Sequence, residues 1–315
     1  MKCLIVQPIH ADGLALLREA GIEPVLCPTS DMQTVAGLIG GCQAVITRDA
    51  GLSGDAIAAS DVLKAIVVHG AGHDPVDKVA AFQKGVLVCN TPGANARSVS
   101  ELALGLALAA ARLIPAADLA VKNGNRGFRE AHTFHELFGK TALIVGWGAT
   151  GSGLGKILDS AFGMRVIAYS PRNPETGAFE RAHTLAEGLA VADLVSLHTP
   201  LRDDTRGLFG ADAFAAMKKG AILVNTARAG LVDETALAEA LADGTVAAAG
   251  LDVYSPAAPV GPLAASDRVI FTPHLGGTTE EALKRVAVGA AQHVITALAG
   301  RRPSTTIELL PEPAQ

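Results

Sequence analysis

Short apolar runs alternate with segments of helical spacing along residues 1–95. The apolar runs are Cys3–Val6, Pro24–Cys27, Ala44–Thr47, Ala65–His69 and Val86–Cys89, and the helical segments are Gly13–Ala20, Met32–Ile39, Gly54–Ala59 and Asp77–Lys84. Near-continuous apolar runs are typical of parallel strands that helices cover on both faces, because strands with one solvated face alternate apolar and polar residues. The pattern therefore predicts a complete α/β unit.

The same alternation resumes further along the chain and predicts a second α/β unit. Its six strands are Thr141–Val145, Arg165–Tyr169, Leu194–Leu197, Ala221–Asn225, Ala248–Val253 and Val269–Thr272, the number found in a full doubly wound nucleotide-binding domain. Between the units, Ser98–Arg112 predicts a buried helix and the polar stretch Lys122–His135 predicts an arm or extended loop that serves packing or dimerisation. A final helix is predicted over Glu280–Ala299, before a proline-containing tail after Arg302 to which we assign no chemistry.

A glycine-rich turn opens the second unit. Gly146-Trp147-Gly148-Ala149-Thr150-Gly151 joins the strand Thr141–Val145 to the amphipathic segment Leu154–Phe162. In such a turn the first glycine permits the tight bend, the second lets a pyrophosphate approach the backbone, and the third lets the helix pack on the strand. The helix N-terminus adds N–H groups and a positive dipole end. Glycine-rich turns also occur without a ligand, but the strand–turn–helix–strand context here predicts dinucleotide binding.

The end of the next strand predicts which dinucleotide is used. An NAD site usually has an acidic residue there, which binds the ribose hydroxyls and repels a 2′-phosphate. In this chain the position is Ser170, followed by Pro171-Arg172. A hydroxyl with a nearby guanidinium favours the 2′-phosphate, although a polar turn with a solvated arginine has the same composition. We predict that NADP is the preferred cofactor, with NAD as a second.

Composition excludes several classes of partner. The 315 residues are 49% hydrophobic, with a net charge of -5, which argues against nucleic-acid and anionic-membrane partners. The four cysteines have no Cys-x-x-Cys spacing, and His69, His73, His132 and His135 lack metal-ligand spacing, so we expect reduced thiols and no metal site. The N-terminus has no signal-peptide pattern and the longest apolar run is too short to cross a bilayer. These features predict a cytoplasmic protein.

A series of motifs in a fixed order resembles one known family. They are His69-Gly70-Ala71-Gly72-His73-Asp74, Asn95-Ala96-Arg97-Ser98-Val99-Ser100-Glu101, the turn Gly146–Gly151, Val195–Leu201, Val224–Gly230, Leu251-Asp252-Val253 and Thr272-Pro273-His274-Leu275-Gly276-Gly277. Together they resemble the D-isomer-specific 2-hydroxyacid dehydrogenases, which include phosphoglycerate dehydrogenases and glyoxylate/hydroxypyruvate reductases. The resemblance implies an α/β fold of two doubly wound parallel-sheet domains. A Rossmann nucleotide domain (99–281) would be inserted into a flavodoxin-like substrate domain (1–98 plus 282–315), with catalysis in the cleft between them.

Two residues carry the chemistry expected of a 2-oxo acid reductase. Arg228 and His274 each follow a predicted strand at the carboxyl end, where ligands bind in open α/β sheets. The planar fork of Arg228 suits a carboxylate, and His274 can donate a proton to the forming alkoxide. The alternatives are a surface arginine and a structural histidine. The resemblance implies that the backbone of Gly70, Ala71 and Gly72 holds the substrate carboxylate opposite Arg228.

The predicted cofactor site gathers residues from the ends of several strands. Besides Gly146, Gly148, Ala149, Thr150, Gly151, Ser170 and Arg172, it includes His198, Thr199, Pro200, Thr226, Ala227, Asp252 and Gly276. The resemblance assigns to Asp252 a contact with the nicotinamide amide. Arg48 follows an earlier strand, and the sequence leaves open whether it contacts a distal anionic group of the substrate.

One residue of the family pattern is absent. In the family, a glutamate between the arginine and the histidine pairs with the histidine, but the segment from Val253 to Ser266 contains no acid, and Ala257 or Ala258 stands at the expected position. Loss of this partner disfavours the protonated histidine. The sequence therefore predicts that reductase activity falls at a lower pH than in relatives that have the glutamate.

The sequence favours a D-2-hydroxyacid dehydrogenase that reduces a small 2-oxo acid, such as glyoxylate or hydroxypyruvate, with NADPH. The missing glutamate leaves open a dinucleotide-sensing protein of the same fold with weak turnover. A phosphoglycerate dehydrogenase would need a basic cluster for the phosphate and usually a regulatory extension, for which we expect this chain to be too short. The apolar helix Ser98–Arg112 and the arm after it predict a homodimer.

Overall fold

The computed structural model describes residues 1–308 and divides the chain into two compact units. The first unit comprises Met1–Asn95 and the chain from Gly277 onward, and the second comprises Ala96–Gly276. Residues 309–315, which include most of the predicted tail and the end of the predicted 282–315 segment, lie outside the described residues. The predicted domain boundaries at 98/99 and 281/282 stay a prediction.

The first unit contains a five-stranded parallel sheet. Its strands are β1 (Lys2–Ile5), β2 (Glu23–Leu26), β3 (Ala44–Thr47), β4 (Ala65–Val68) and β5 (Leu87–Cys89), paired in the order β2-β1-β3-β4-β5. Its helices are α1 (Ala11–Glu19), α2 (Met32–Ile39), α3 (Gly54–Ala58), α4 (Lys78–Gln83) and the last helix of the chain, α12 (Glu280–Leu298). This is the flavodoxin-like strand order. Leu4 packs in one buried cluster with residues of α2 and α3, whereas Cys3 and Ile5 pack in another with residues of α12, so both faces of the sheet are covered as the sequence predicts.

The second unit contains a seven-stranded parallel sheet. Its strands are β6 (Thr141–Val145), β7 (Arg165–Tyr169), β8 (Glu180–Arg181), β9 (Leu194–Leu197), β10 (Ala221–Asn225), β11 (Val246–Leu251) and β12 (Val269–Phe271), in the order β12-β11-β10-β9-β6-β7-β8. Counted within the unit, this is the Rossmann order 3-2-1-4-5-6 with one further strand. The predicted fold class is confirmed, but the predicted number of strands is wrong by one. β8 was missed because its two residues are charged and exposed, so no apolar run marks it.

Seven α-helices accompany this sheet in the second unit. They are α5 (Ala96–Arg112), α6 (Ile114–Lys122), α7 (Phe128–Ala131), α8 (Ala149–Phe162), α9 (Leu185–Leu189), α10 (Ala211–Ala215) and α11 (Glu234–Ala242). α5 lies so close to β11 that a side chain at Gly250 would meet Leu106 at 2.8 Å. Within residues 1–308 no single helix is long and apolar enough to cross a membrane, and α5 with α6 meets that length and composition only as a pair bent by 55°.

The predicted arm is partly helical. The structure forms α7 within the stretch Lys122–His135 that the sequence predicts as extended. The reason is local, because Phe128 and His132 lie one helical turn apart and their rings stack with centroids 4.0 Å apart. The prediction of an extended loop is therefore wrong for Phe128–Ala131, and the alternative of an arm stays a prediction.

Candidate active site

The turn after β6 is shaped by close backbone contacts. Gly146 has φ 101°, and a Cβ there would lie 2.7 Å from the carbonyl of His198. A Cβ on Gly151 would lie 2.0 Å from the Gly146 carbonyl oxygen. At Gly148, by contrast, a Cβ would meet nothing within 4 Å. The first and third glycines are therefore required by the fold, whereas the second leaves open space beside the backbone.

Helix α8 begins in this turn and offers its N-terminus to a ligand. Gly148 is the N-cap residue, and no side chain caps the helix. Ala149, Thr150 and Gly151 form the first turn, whose N–H groups have no partner within the helix. With the helix dipole, this arrangement fits a pyrophosphate. The structure thus brings together the five predicted residues of this turn, and the open side of Gly148 fits the predicted dinucleotide.

The loop after β7 joins this turn to a second loop. Ser170 is 9% exposed, and Asn173 donates its side-chain amide to the Trp147 carbonyl oxygen at 2.7 Å. Arg172 donates Nη2 to Oδ2 of Asp204 at 3.0 Å. Asp204 lies in the loop after β9, and sequence reasoning did not identify it. An acidic residue within five positions of Pro200 was the available signal.

A neutral histidine follows β9. His198 donates its backbone N–H to Val145 at 2.7 Å, and its Nε2 shares a hydrogen bond of 2.9 Å with Ser196 Oγ. Burial lowers the pKa of His198 to about 4, so the ring is uncharged near neutral pH. The predicted neighbours Thr199 and Pro200 continue the loop. This loop abuts the glycine turn, but it offers no positive charge at His198.

The turn after β10 is held by a buried amide. Asn225 is 1% exposed; its Oδ1 accepts from the N–H of Ala227 at 3.0 Å, and its Nδ2 donates to the Arg228 carbonyl oxygen at 2.9 Å. Arg228 in turn donates Nη1 to the Ala227 carbonyl oxygen at 2.7 Å. Thr226 is 8% exposed, and its Oγ1 finds no hydrogen-bond partner in the described part of the chain. A buried, orphaned hydroxyl fits a polar ligand group there. Asn225 was missed as the residue that shapes this turn.

A buried carboxylate holds the turn after β12. Asp252 is 1% exposed and accepts from Thr272 Oγ1 at 2.6 Å and from the N–H groups of Leu275 and Gly276 at 2.7 and 2.9 Å. His274 has φ 56°, in the left-handed region, and donates its N–H to the Asp252 carbonyl oxygen at 3.1 Å. The observed partners of Asp252 therefore belong to the turn that presents His274, and its predicted contact with the nicotinamide stays a prediction.

The segment that lacks the family glutamate is itself anchored by an acid. Glu234, at the start of α11, accepts from both the N–H and the hydroxyl of Ser255. Ala257 is exposed, whereas Ala258 is 4% exposed and belongs to an apolar cluster. A carboxylate at position 257 would therefore be exposed to solvent, whereas one at position 258 would be buried among apolar side chains. Glu234 was missed by sequence reasoning, which examined only the segment itself.

The predicted substrate-binding backbone follows β4 in the first unit. Gly70 has φ 142° and donates its N–H to Thr91 Oγ1 at 2.9 Å, and the carbonyl oxygen of Ala71 accepts from Asn90 Nδ2 at 2.7 Å. No acceptor within residues 1–308 pairs with the N–H groups of Ala71 and Gly72. These two donors fit an anion such as a carboxylate.

Two other side chains near this loop were singled out in the sequence. Burial lowers the pKa of His69 to about 4, and Arg48 lowers it further. Arg48 donates Nη1 to the Pro8 carbonyl oxygen at 3.1 Å, and its predicted contact with substrate stays untested. Among the residues that the structure describes, no group of three His, Cys, Asp or Glu side chains is placed to hold a metal ion.

Comparisons with known proteins find relatives of this chain in both sequence and fold. Residues 104–276 match the model described as "D-isomer specific 2-hydroxyacid dehydrogenase, NAD binding domain". The chain is 37% identical over 98% of its length to a D-3-phosphoglycerate dehydrogenase from Methanocaldococcus jannaschii, of which it spans only 60%. It is 41% identical over 78% of its length to a hydroxypyruvate reductase from Thermotoga maritima, covering 81% of that protein. A glyoxylate reductase structure from Paecilomyes thermophila superposes with a TM-score of 0.86 at 28% identity, covering 98% of each chain.

Proposed function

Because this chain belongs to the D-isomer specific 2-hydroxyacid dehydrogenase family, we propose that it reduces a small 2-oxo acid to the D-2-hydroxy acid with NADPH. The observation that carries the proposal is the placement of Arg228 and His274. They follow β10 and β12, at the same sheet edge as the glycine turn after β6. The carboxyl edge of a parallel sheet is where such folds bind ligands.

The cofactor is assigned to residues whose geometry fits it. The open side of Gly148 and the uncapped start of α8 accept the pyrophosphate, and the orphaned hydroxyl of Thr226 offers a polar contact near the nicotinamide. When bound, the dinucleotide supplies the hydride for C2 of the substrate. His198, Thr199, Pro200 and Ala227 are assigned to its middle and nicotinamide portions.

The chain's own residues bind the acid and move the proton. The guanidinium of Arg228 neutralises the substrate carboxylate and polarises the carbonyl. His274 donates a proton to the carbonyl oxygen as the alkoxide forms. The buried anchors Asn225 and Asp252 fix the backbone that carries Arg228 and His274, which lowers the cost of orienting them.

The proposal is tested by steady-state reduction of a panel of 2-oxo acids with NADPH and with NADH. The panel contains glyoxylate, hydroxypyruvate, pyruvate, longer analogues and 3-phosphohydroxypyruvate, the product expected from oxidation of 3-phosphoglycerate. We expect turnover of at least one small acid, a D product, and a higher kcat/KM with NADPH. Arg228→Lys and His274→Asn should each lower kcat/KM by ~100-fold or more, as loss of a catalytic acid or an electrostatic contact does. No turnover of any acid, together with tight dinucleotide binding, contradicts the proposal.

The second candidate, a dinucleotide sensor with weak turnover, rests on the missing glutamate. Ala257→Glu restores a carboxylate at an exposed position, and Ala258→Glu is the matched variant at a buried one. If the restored carboxylate favours protonated His274, reduction by Ala257→Glu should persist to a higher pH than in wild type. Identical pH–rate profiles of Ala257→Glu and the wild type contradict a role for this position. Ala258→Glu should be less stable than Ala257→Glu because it buries a charge.

We also propose that the protein is a homodimer. The support is α6, where Ile114 and Val121 are exposed about two turns apart on one face of the helix; exposed apolar surface of this kind marks an interaction site in many proteins. Sedimentation equilibrium of the wild type and of Val121→Lys tests this. A monomeric wild type contradicts it.

A further inference from the structure

Asp204 bridges two arginines in the second unit. One carboxylate oxygen, Oδ2, accepts from Arg172 Nη2 at 3.0 Å, and the other, Oδ1, accepts from Arg202 Nε at 3.0 Å. Arg202 first, and Arg172 with it, hold the pKa of Asp204 below its usual range. The carboxylate is therefore ionised throughout the neutral range, and it occupies a guanidinium that the sequence assigns to the 2′-phosphate.

The bridge lies beside the glycine turn. Arg172 is three residues beyond the last residue of β7, and the next residue, Asn173, donates its side-chain amide to the carbonyl oxygen of Trp147 inside the turn. β7 and β9 flank β6 on either side in the sheet. The loop that carries Arg172 and the loop that carries Asp204 thus meet next to the place where the dinucleotide is assigned.

The ion pair is exposed and exchangeable. The side chains of Arg172 and Asp204 are 61% and 51% exposed, and exposed pairs contribute little to stability. A 2′-phosphate carries about two negative charges and can replace the carboxylate on Arg172, but Asp204 then remains nearby as a like charge. NAD has no 2′-phosphate, so its binding leaves the pair intact.

We infer that Asp204 is a specificity-determining residue, which sets the ratio of NADPH to NADH affinity by competing with the 2′-phosphate for Arg172. The inference rests on the proposed use of NADPH. It predicts a site that binds both cofactors, with the preference for NADPH held below what Ser170 and Arg172 would give alone. It also identifies one carboxylate whose removal sharpens the preference.

Binding is measured without turnover by the fluorescence of Trp147, the single tryptophan of the chain, which lies in the glycine turn. Asp204→Asn keeps the shape of the side chain and removes its charge. It should tighten NADPH binding by ~3- to 10-fold and change NADH binding by less than ~2-fold, since a rim charge acts mainly on the charged partner. The gain should shrink at high salt.

Asp203→Asn is the matched control. It removes the same charge from the neighbouring exposed residue, which forms no ion pair with any other described residue. It should change the NADPH affinity by less than ~2-fold. In an Arg172→Ala background, Asp204→Asn should tighten NADPH binding less than it does when Arg172 is present.

Three outcomes overturn the inference: equal gains in Asp204→Asn and Asp203→Asn, weaker NADPH binding in Asp204→Asn, or an undiminished gain without Arg172. Weaker binding would mean that Asp204 positions Arg172 instead of competing for it. If the wild type prefers NADH but Asp204→Asn still shifts the ratio toward NADPH, the proposed cofactor preference fails and the inference stands. If the wild type prefers NADPH and the ratio does not move, the inference alone fails.

Discussion

Asp252 and Asp204 both hold loops of the seven-stranded sheet, but one is buried and the other exposed. Asp252 is 1% exposed and accepts three hydrogen bonds from the turn that presents His274. The side chain of Asp204 is 51% exposed and bridges two arginines beside the glycine turn. The same chemical group thus fixes one loop rigidly and leaves the other exchangeable, because the cost of breaking a polar contact rises steeply with burial.

The difference matches what each loop is proposed to do. A proton donor must stay in one geometry through every turnover, so a turn held by a buried carboxylate suits His274. A loop that distinguishes two cofactors must release its own ion pair when the phosphate enters, which only an exposed pair does at low cost. Burial therefore separates the residues proposed to fix the chemistry from those proposed to select the cofactor.

The largest effect on stability is expected from removing the buried charge of Asp252. Asp252→Asn places an NH2 group against at least one of the donors that now face the carboxylate, so it should lower the free energy of unfolding by about 2–4 kcal/mol. Reductase activity should fall with it because the His274 turn loosens. Urea denaturation followed by Trp147 fluorescence reports on the second unit, which contains this residue.

Asp204→Asn is the control for that measurement. It makes the same chemical change at an exposed position, and its urea midpoint should match that of the wild type. Equal loss of stability in the two variants would break the contrast between the buried and the exposed carboxylate. An unchanged midpoint in Asp252→Asn would do so as well.

A second pair of variants extends the contrast to backbone contacts. Gly151→Ala puts a methyl group 2.0 Å from the Gly146 carbonyl oxygen, whereas Gly148→Ala puts it in open space. We expect Gly151→Ala to cost about 1–3 kcal/mol through overpacking and to weaken dinucleotide binding. Gly148→Ala should leave stability unchanged within about 0.5 kcal/mol yet weaken binding by ~10-fold or more, because the methyl occupies the approach of the pyrophosphate.

Calorimetry of both variants with NADPH, alongside their urea midpoints, checks this pair. The informative result is a separation of binding from stability in Gly148→Ala. If Gly148→Ala binds NADPH as well as the wild type does, the pyrophosphate does not approach at Gly148. The assignment of the cofactor to this turn would then need revision.

Sequence periodicity predicted the fold because both sheets are buried on two faces. Every strand longer than two residues appears as an apolar run, whereas the exposed β8 does not. The strand–turn–helix pattern likewise predicted the glycine turn, since the close approach of Gly151 to Gly146 depends on residues adjacent in sequence. Sequence patterns therefore predict the features whose geometry depends on residues close together in the chain.

Three residues that hold loops of the site could not be predicted because their partners are distant in sequence. Asp252 accepts from residues 20 to 24 positions away, Asp204 pairs with an arginine 32 positions away, and Glu234 holds Ser255 across 21 positions. Neither residue spacing nor composition predicts that such residues are in contact. The contact becomes evident only when the strands before them are assembled in one sheet. Arg228 and His274 were predicted from strand ends, and their catalytic role stays a prediction, but the groups that hold their turns emerged only from the folded backbone.

The smallest effect on stability is expected at the ion pair between His132, in the stretch Lys122–His135, and Asp267. The exposure of the His132 side chain is intermediate between those of Asp252 and Asp204. The Nδ1 of His132 is 2.8 Å from the Phe128 carbonyl oxygen and its Nε2 is 2.9 Å from Asp267 Oδ2. Both groups only accept, so both bonds form when both ring nitrogens carry protons. The Phe128 carbonyl and then Asp267 raise the pKa of His132, while partial burial and Arg268 oppose the shift.

A raised pKa fixes the sign of the pH dependence. Stability from His132 is fully present below the unfolded-state value of about 6.5 and is lost as the pH rises through the higher folded-state value. His132→Gln should therefore melt ~1–3 °C below the wild type at pH ~5.5 and at the same temperature at pH ~8.5. His183→Gln, at an exposed histidine, is the control and should follow the wild type at both. Comparing variants at each pH removes the opposite contribution of His69 and His198, whose pKa values are lowered by burial. A difference that grows with pH would show that neutral His132, and not the imidazolium, holds the arm.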